Sequence, residues 1–145
     1  MLTRVLAATV AGGIAFFFLG FLIYGLLLDE MVMKPNMNVF PGLMNETPVW
    51  APLILANLTS AFLLAYIFDK WASISTFMGG MKGGATVMFL IALSFQLMFM
   101  AFMNLSRNYI PPVADILGST VMGAIGGGVI GAVLGMMNKN ASASD

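Results

Sequence analysis

Four predominantly apolar runs, each about 20 residues long, constrain this chain more than anything else in its sequence. They cover about 5–28, 49–68, 84–103 and 113–137. A helix needs roughly 20 such residues to cross a hydrocarbon core of about 30 Å. The first run follows Arg4 but exceeds the roughly 7–15 apolar residues of a signal sequence, so it reads as a retained span. Pro52 falls in the first turn of the second run, where a missing N–H costs little. The fourth is entered through Pro111 and Pro112. The expectation is an all-α integral membrane four-helix bundle with antiparallel neighbouring spans, forming one membrane domain over residues 1–145 with a disordered tail at 138–145.

Composition narrows the function classes. Of 145 residues, 60% are hydrophobic and 8% charged, whereas soluble domains carry about 25% charged residues. Six basic residues balance six acidic ones, which leaves no electrostatic footprint for nucleic acid. Without cysteine there is no thiol nucleophile or thiolate site. Without histidine the usual general base near neutral pH is missing too. No enzyme and no cofactor are expected.

Sidedness follows from the basic residues in the short connections. Arg4, Lys70, Lys82 and Lys139 fall on one side, Lys34 and Arg107 on the other, so both termini are expected in the cytoplasm. Tyr24, Trp50 and Tyr109 mark one interface, Tyr66 and Trp71 the other. The connection after the first span contains Pro35, Pro41 and Pro48, which argue against a regular helix there. The glycines of "MGGMKGG" are expected to bend the entry into the third span.

The stretch "STVMGAIGGGVIGAVLG" contains G-x-G-x-x-G at Gly126, Gly128 and Gly131. A dinucleotide site would need a preceding strand and a helix that starts at the motif, whereas the residues before Gly126 are already apolar with helical period. Read as a helix, Ser119, Gly123, Gly127, Gly131 and Gly135 recur every four residues and form one bare ridge of overlapping G-x-x-x-G units. In lipid such ridges let backbones approach closely. Ala8, Gly12 and Ala15 in the first span supply small residues at matching depth, so packing of the first and fourth spans is one use of the ridge. A homodimer seam, or a seam for another membrane protein, is the other.

Polar residues inside the spans form a second set. Asn57 in the second span, Gln96 in the third and Asp115 in the first turns of the fourth define a polar seam. The plain reading is interhelical hydrogen bonding for the amides, and for Asp115 a carboxylate stabilised by the helix dipole with Arg107 placed to pair with it. The functional reading is a route for a small solute or ion, lined by Asn57 and Gln96. Among 14 methionines, Met31, Met33 and Met37 form M-x-M-x-x-x-M, and soft thioethers select Cu(I), with Met88, Met98, Met100 and Met103 then populating the third span. Flexible packing is methionine's ordinary use. The pattern loosely resembles eukaryotic copper-uptake channels, which differ in having three spans.

"FFFLGFLIYG", "LANLTSAFLLAYIFDKW" and "GGMKGGATVMFLIALSF", followed by the small-residue fourth span, resemble small bacterial four-helix membrane proteins grouped as a domain of unknown function. The resemblance implies a bacterial inner-membrane location and supplies no site residues. Small multidrug exporters also have four spans but rely on a glutamate in the first, where 5–28 contains no acid. The expected role is therefore a non-enzymatic packing or partner subunit in contact with the lipid bilayer, with the solute route and Cu(I) handling as alternatives.

Overall fold

The computed structural model describes residues 2–142. Among them the chain is all-helical, with four long helices and an isolated bridge in place of any strand. Helix α1 spans Leu2–Asn36, α2 Trp50–Lys70, α3 Phe77–Phe102 and α4 Ile110–Ser142. All four are long and apolar enough to cross a membrane. Much of their apolar surface points outward: Phe18, Leu55, Leu90, Phe95 and Leu117 are all exposed.

Three boundaries differ from the expected ones. Helix α1 runs past residue 28 to Asn36, with π-type winding over Phe21–Met33. Pro35 is accommodated in its last turn, behind a π-wound stretch whose Lys34 N–H already bonds to Asp29 O and so departs from the register that a proline ring obstructs. Helix α3 begins at Phe77, so Gly79, Gly80, Gly83 and Gly84 lie inside it and not before it. Thr76 starts it as N-cap, its Oγ1 accepting the Gly79 N–H at 3.1 Å. Helix α4 continues to Ser142, into the segment expected to be a tail; residues 143–145 lie outside the described residues.

The ridge on α4 faces α3, whereas the sequence pointed to α1. A Cβ on Gly127 would fall 2.8 Å from Gly84 Cα, and one on Gly84 would fall 2.9 Å from Gly127 Cα. Gly123 faces Gly84 and Met88, Gly131 faces Gly80, and Gly135 faces the backbone of Ser75. Backbone meets backbone along this line from Gly127 to Gly135, where no side chain can yield, while at Gly123 the Met88 side chain shares the contact. The early start of α3 explains the exchange of partners, because its first two turns supply Gly80 and Gly84.

Helix α1 does pack on α4, but on the neighbouring face. Gly12 receives Ile130, whose Cγ1 would lie 2.5 Å from an added Cβ, and Gly126 receives the buried Phe16 ring. Ala8 is fully buried, while Ala15 is only half-buried. Val5, Phe16, Leu64, Phe68, Ile130 and Leu134 form the core, between α1, α2 and α4. At this end Arg4 Nε pairs with Asp69 Oδ1 at 2.7 Å, Lys70 Nζ lies 3.0 Å from Asp69 Oδ2, and Arg4 Nη1 donates to Asn138 Oδ1. The buried Arg4 Nε and Asp69 Oδ2 are thus answered by ion pairing, without hydrogen bonds of good geometry. The beginning of α1 is fastened to the ends of α2 and α4.

Candidate functional site

The opposite end of the bundle holds a cavity of about 530 Å³. Two connections are stitched together to make it. The segment after α1 and the segment between α3 and α4 exchange Asn38 N–H to Leu105 O and Arg107 N–H to Asn36 O, both at 2.8 Å. Side chains reinforce the clasp: Asn108 Nδ2 donates to Asn36 Oδ1 at 2.8 Å, and Asn38 Nδ2 to Asn104 O at 2.9 Å. The polar, proline-rich character of these segments has a physical purpose, since their backbone groups pair across the gap and not along a helix. The end of α1 is thereby held beside the end of α3.

The floor of the cavity is a hydrogen-bonded pair. Gln96 Nε2 donates to Asp115 Oδ2 at 2.7 Å, joining α3 to α4. Gln96 is six residues before the end of α3 and Asp115 five after the start of α4, which puts both roughly 8–9 Å below the helix ends at 1.5 Å per residue. Both are half-buried. Tyr24 of α1 reaches the same turn of α4, its hydroxyl lying 2.7 Å from Ser119 Oγ and donating to Asp115 O at 3.2 Å. The buried Pro111 and Pro112 wall the α4 side. Arg107 lines the cavity from the connection above.

The expected seam is therefore divided. Gln96 and Asp115 come together, but Asn57 does not join them. Its Nδ2 donates to Leu53 O of its own helix at 2.8 Å, and it borders a separate, shallow apolar groove between α1 and α2 with Gly13, Phe17 and Leu58. A self-satisfied amide needs no partner helix. The expected Arg107–Asp115 pair is not among the ion pairs of the described residues; the carboxylate takes the Gln96 amide instead. Ser119, assigned to the ridge, is buried and spends its hydroxyl on Tyr24.

The methionines are sorted in the same way. Met33 and Met37 line the cavity, whereas Met31 is 73% exposed and lies outside it. Met100 and Met103, from the end of α3, line it as well. The sequence shows Met100 and Met103 as third-span methionines in the Cu(I) reading without assigning them to the site, and it does not show that Tyr24 reaches the turn of Asp115. The available signal was their position at the same end of the bundle as Met33 and Met37. No protein-family profile, curated protein or solved structure matches the chain, so the resemblance to small bacterial membrane proteins rests on the segments quoted for it alone.

Proposed function

We propose that this is a non-enzymatic, multi-pass protein of the bacterial inner membrane that takes a small cation from the outer side into the cavity floored by Asp115. In this reading neighbouring spans are antiparallel, both termini are cytoplasmic, and lipid covers the exposed apolar faces. The excess of Arg4, Lys70, Lys82 and Lys139 over Lys34 and Arg107 supports that sidedness. The clasped end with the cavity then faces outward.

The observation that carries the proposal is the Gln96–Asp115 pair inside the cavity. An ionisable side chain set below the ends of apolar spans is expensive to keep, and in membrane proteins such residues mark ion and substrate contacts. One amide donor leaves the carboxylate with acceptor capacity to spare. The packing-subunit reading shares this architecture but assigns the α4 ridge to a partner. Because α3 already covers the ridge, a second copy or another protein would have to displace a helix to reach it. The solute reading needs no such rearrangement.

The reading is tested by thermal unfolding of the protein in lipid nanodiscs across a panel of monovalent cations, including alkali ions, tetramethylammonium and Ag(I). A ligand at 100 times its Kd stabilises the folded state by about 2.7 kcal/mol. At least one cation is expected to raise the midpoint of the wild-type protein and to lose that effect in Asp115→Asn. Equal shifts in both proteins, or none in either, would reject the cavity as the site.

A further inference from the structure

Two pairs of thioethers converge on this cavity from different helices, and their chemistry names a narrower ligand. Met33 and Met37 are four residues apart at the end of α1, and the Met37 N–H donates to Met33 O at 2.9 Å. That bond closes the last turn of α1, and Met37 itself is extended, the first residue beyond the helix. Met100 lies in the last turn of α3, and Met103 is the extended residue directly after it, its N–H donating to Phe99 O at 2.7 Å. The clasp between the two connections, including the bridge of Met37 with Ser106, sets one pair beside the other. All four line the cavity whose floor is Asp115.

The donor set discriminates among cations. Ca²⁺ takes six to eight oxygen ligands and Mg²⁺ near-ideal octahedral oxygen geometry. Among the described residues no three of His, Cys, Asp and Glu come together, and Asp115 is the one carboxylate lining this cavity. A hard divalent ion would find one carboxylate and otherwise only neutral oxygens such as those of Gln96, Asn104 and Asn108. Thioethers are soft, polarizable donors without charge, suited to a soft ion. A single carboxylate below them balances a single positive charge, while Arg107 at the rim disfavours a higher one.

We propose that the cavity binds one soft monovalent cation, Cu(I) or its analogue Ag(I), through Met33, Met37, Met100 and Met103, with Asp115 as its counter-charge. The inference rests on the cation-binding reading above and specifies its ligand. Binding is a simple association in which no bond is broken and no electron moves.

The experiment is a titration of the purified full-length protein with Ag(I), and anaerobically with Cu(I) against a chromophoric competitor. Wild type is compared with three double variants: Met33→Leu/Met37→Leu, Met100→Leu/Met103→Leu, and Met31→Leu/Met98→Leu as control. Met31 and Met98 are exposed and outside the cavity, and leucine conserves methionine's volume. One ion per chain is expected, with affinity falling more than about tenfold, or roughly 1.4 kcal/mol, on loss of either cavity pair and unchanged in the control. Equal weakening in all three would mean diffuse thioether binding and overturn the proposal. Failure of Ag(I) and Cu(I) alongside Asp115-dependent stabilisation by another cation would overturn it too, while sparing the broader reading. Methionine oxidation footprinting of the wild-type protein keeps the question decidable if a variant misfolds. Bound Ag(I) should protect the four cavity methionines over Met31 and Met98, and uniform oxidation would refute the assignment.

Discussion

Asp115 and Asp69 show how placement divides two carboxylates of one chain between different tasks. Asp69 has a side chain only 3% exposed, and each of its oxygens faces one cation, Arg4 or Lys70. Asp115 has one amide donor and a cavity in front of it. The first fastens two helix ends, and the second faces open space. Replacing Asp69 by Ala leaves Arg4 and Lys70 uncompensated, and removing one partner of a buried pair costs about 3–5 kcal/mol. The expected outcome is a large fall in the thermal midpoint of the purified protein with soft-cation affinity retained by whatever fraction stays folded. Tyr24→Phe removes one hydroxyl from the turn carrying Asp115 and Ser119. Polar pairs between membrane helices average about 0.6 kcal/mol, so denaturant titration should register a small loss. A loss as great as that of Asp69→Ala would show that the hydroxyl network, and not the ion pairs, fastens the bundle.

At the level of elements, the glycines of α3 and α4 act as a contact surface, and the contrast between two of them makes this measurable. A Cβ on Gly127 meets the α-carbon of Gly84, which can move only with its helix. Gly127→Ala is expected to destabilise the bundle by about 1–3 kcal/mol, the usual range for overpacking. Gly20→Ala meets only Met122 Sδ at 3.9 Å, an ordinary contact, and gains up to about 1 kcal/mol of helix propensity. Opposite signs in the two unfolding midpoints are the expected result; equal effects would remove the ridge from the account. The ridge itself was legible, because spacing by four survives any uncertainty in helix ends. Its partner was not. From sequence Gly79 to Gly84 read as a bend, since glycine disfavours isolated helices, whereas in the fold Gly80 and Gly84 meet the bare face of α4 and Gly83 meets Phe68 of α2. The end of α1 was missed for a related reason: Pro35 reads as a stop, yet a last turn behind π winding accepts it.

For the molecule as a whole, hydropathy made four helices legible, since each run has the length the bilayer asks of it. The cavity was legible only in parts. Gln96 and Asp115 stand out as polar groups in apolar runs, but no local signal joins α3 to α4 through those two, and Asn57 stood out equally while satisfying itself within its own turn. Met100 and Met103 stand out as third-span methionines, but methionine in a helix is ordinary packing and no local signal joins them to Met33 and Met37. What assembles the site is the clasp of two connections far apart in sequence, and that is a property of the folded chain.

The account stands or falls on whether Gln96 lies in a water-filled cavity open to the outer side. The chain has no cysteine, so single replacements report without interference. Gln96→Cys and Ser94→Cys place thiols on the same helix at nearly the same depth, one lining the cavity and the other exposed on a face outside it. A charged, membrane-impermeant thiol reagent added outside sealed, right-side-out vesicles is expected to label Gln96→Cys quickly and to leave Ser94→Cys unmodified. Equal labelling at both positions, or labelling of Gln96→Cys only after the inner face is opened, would contradict it.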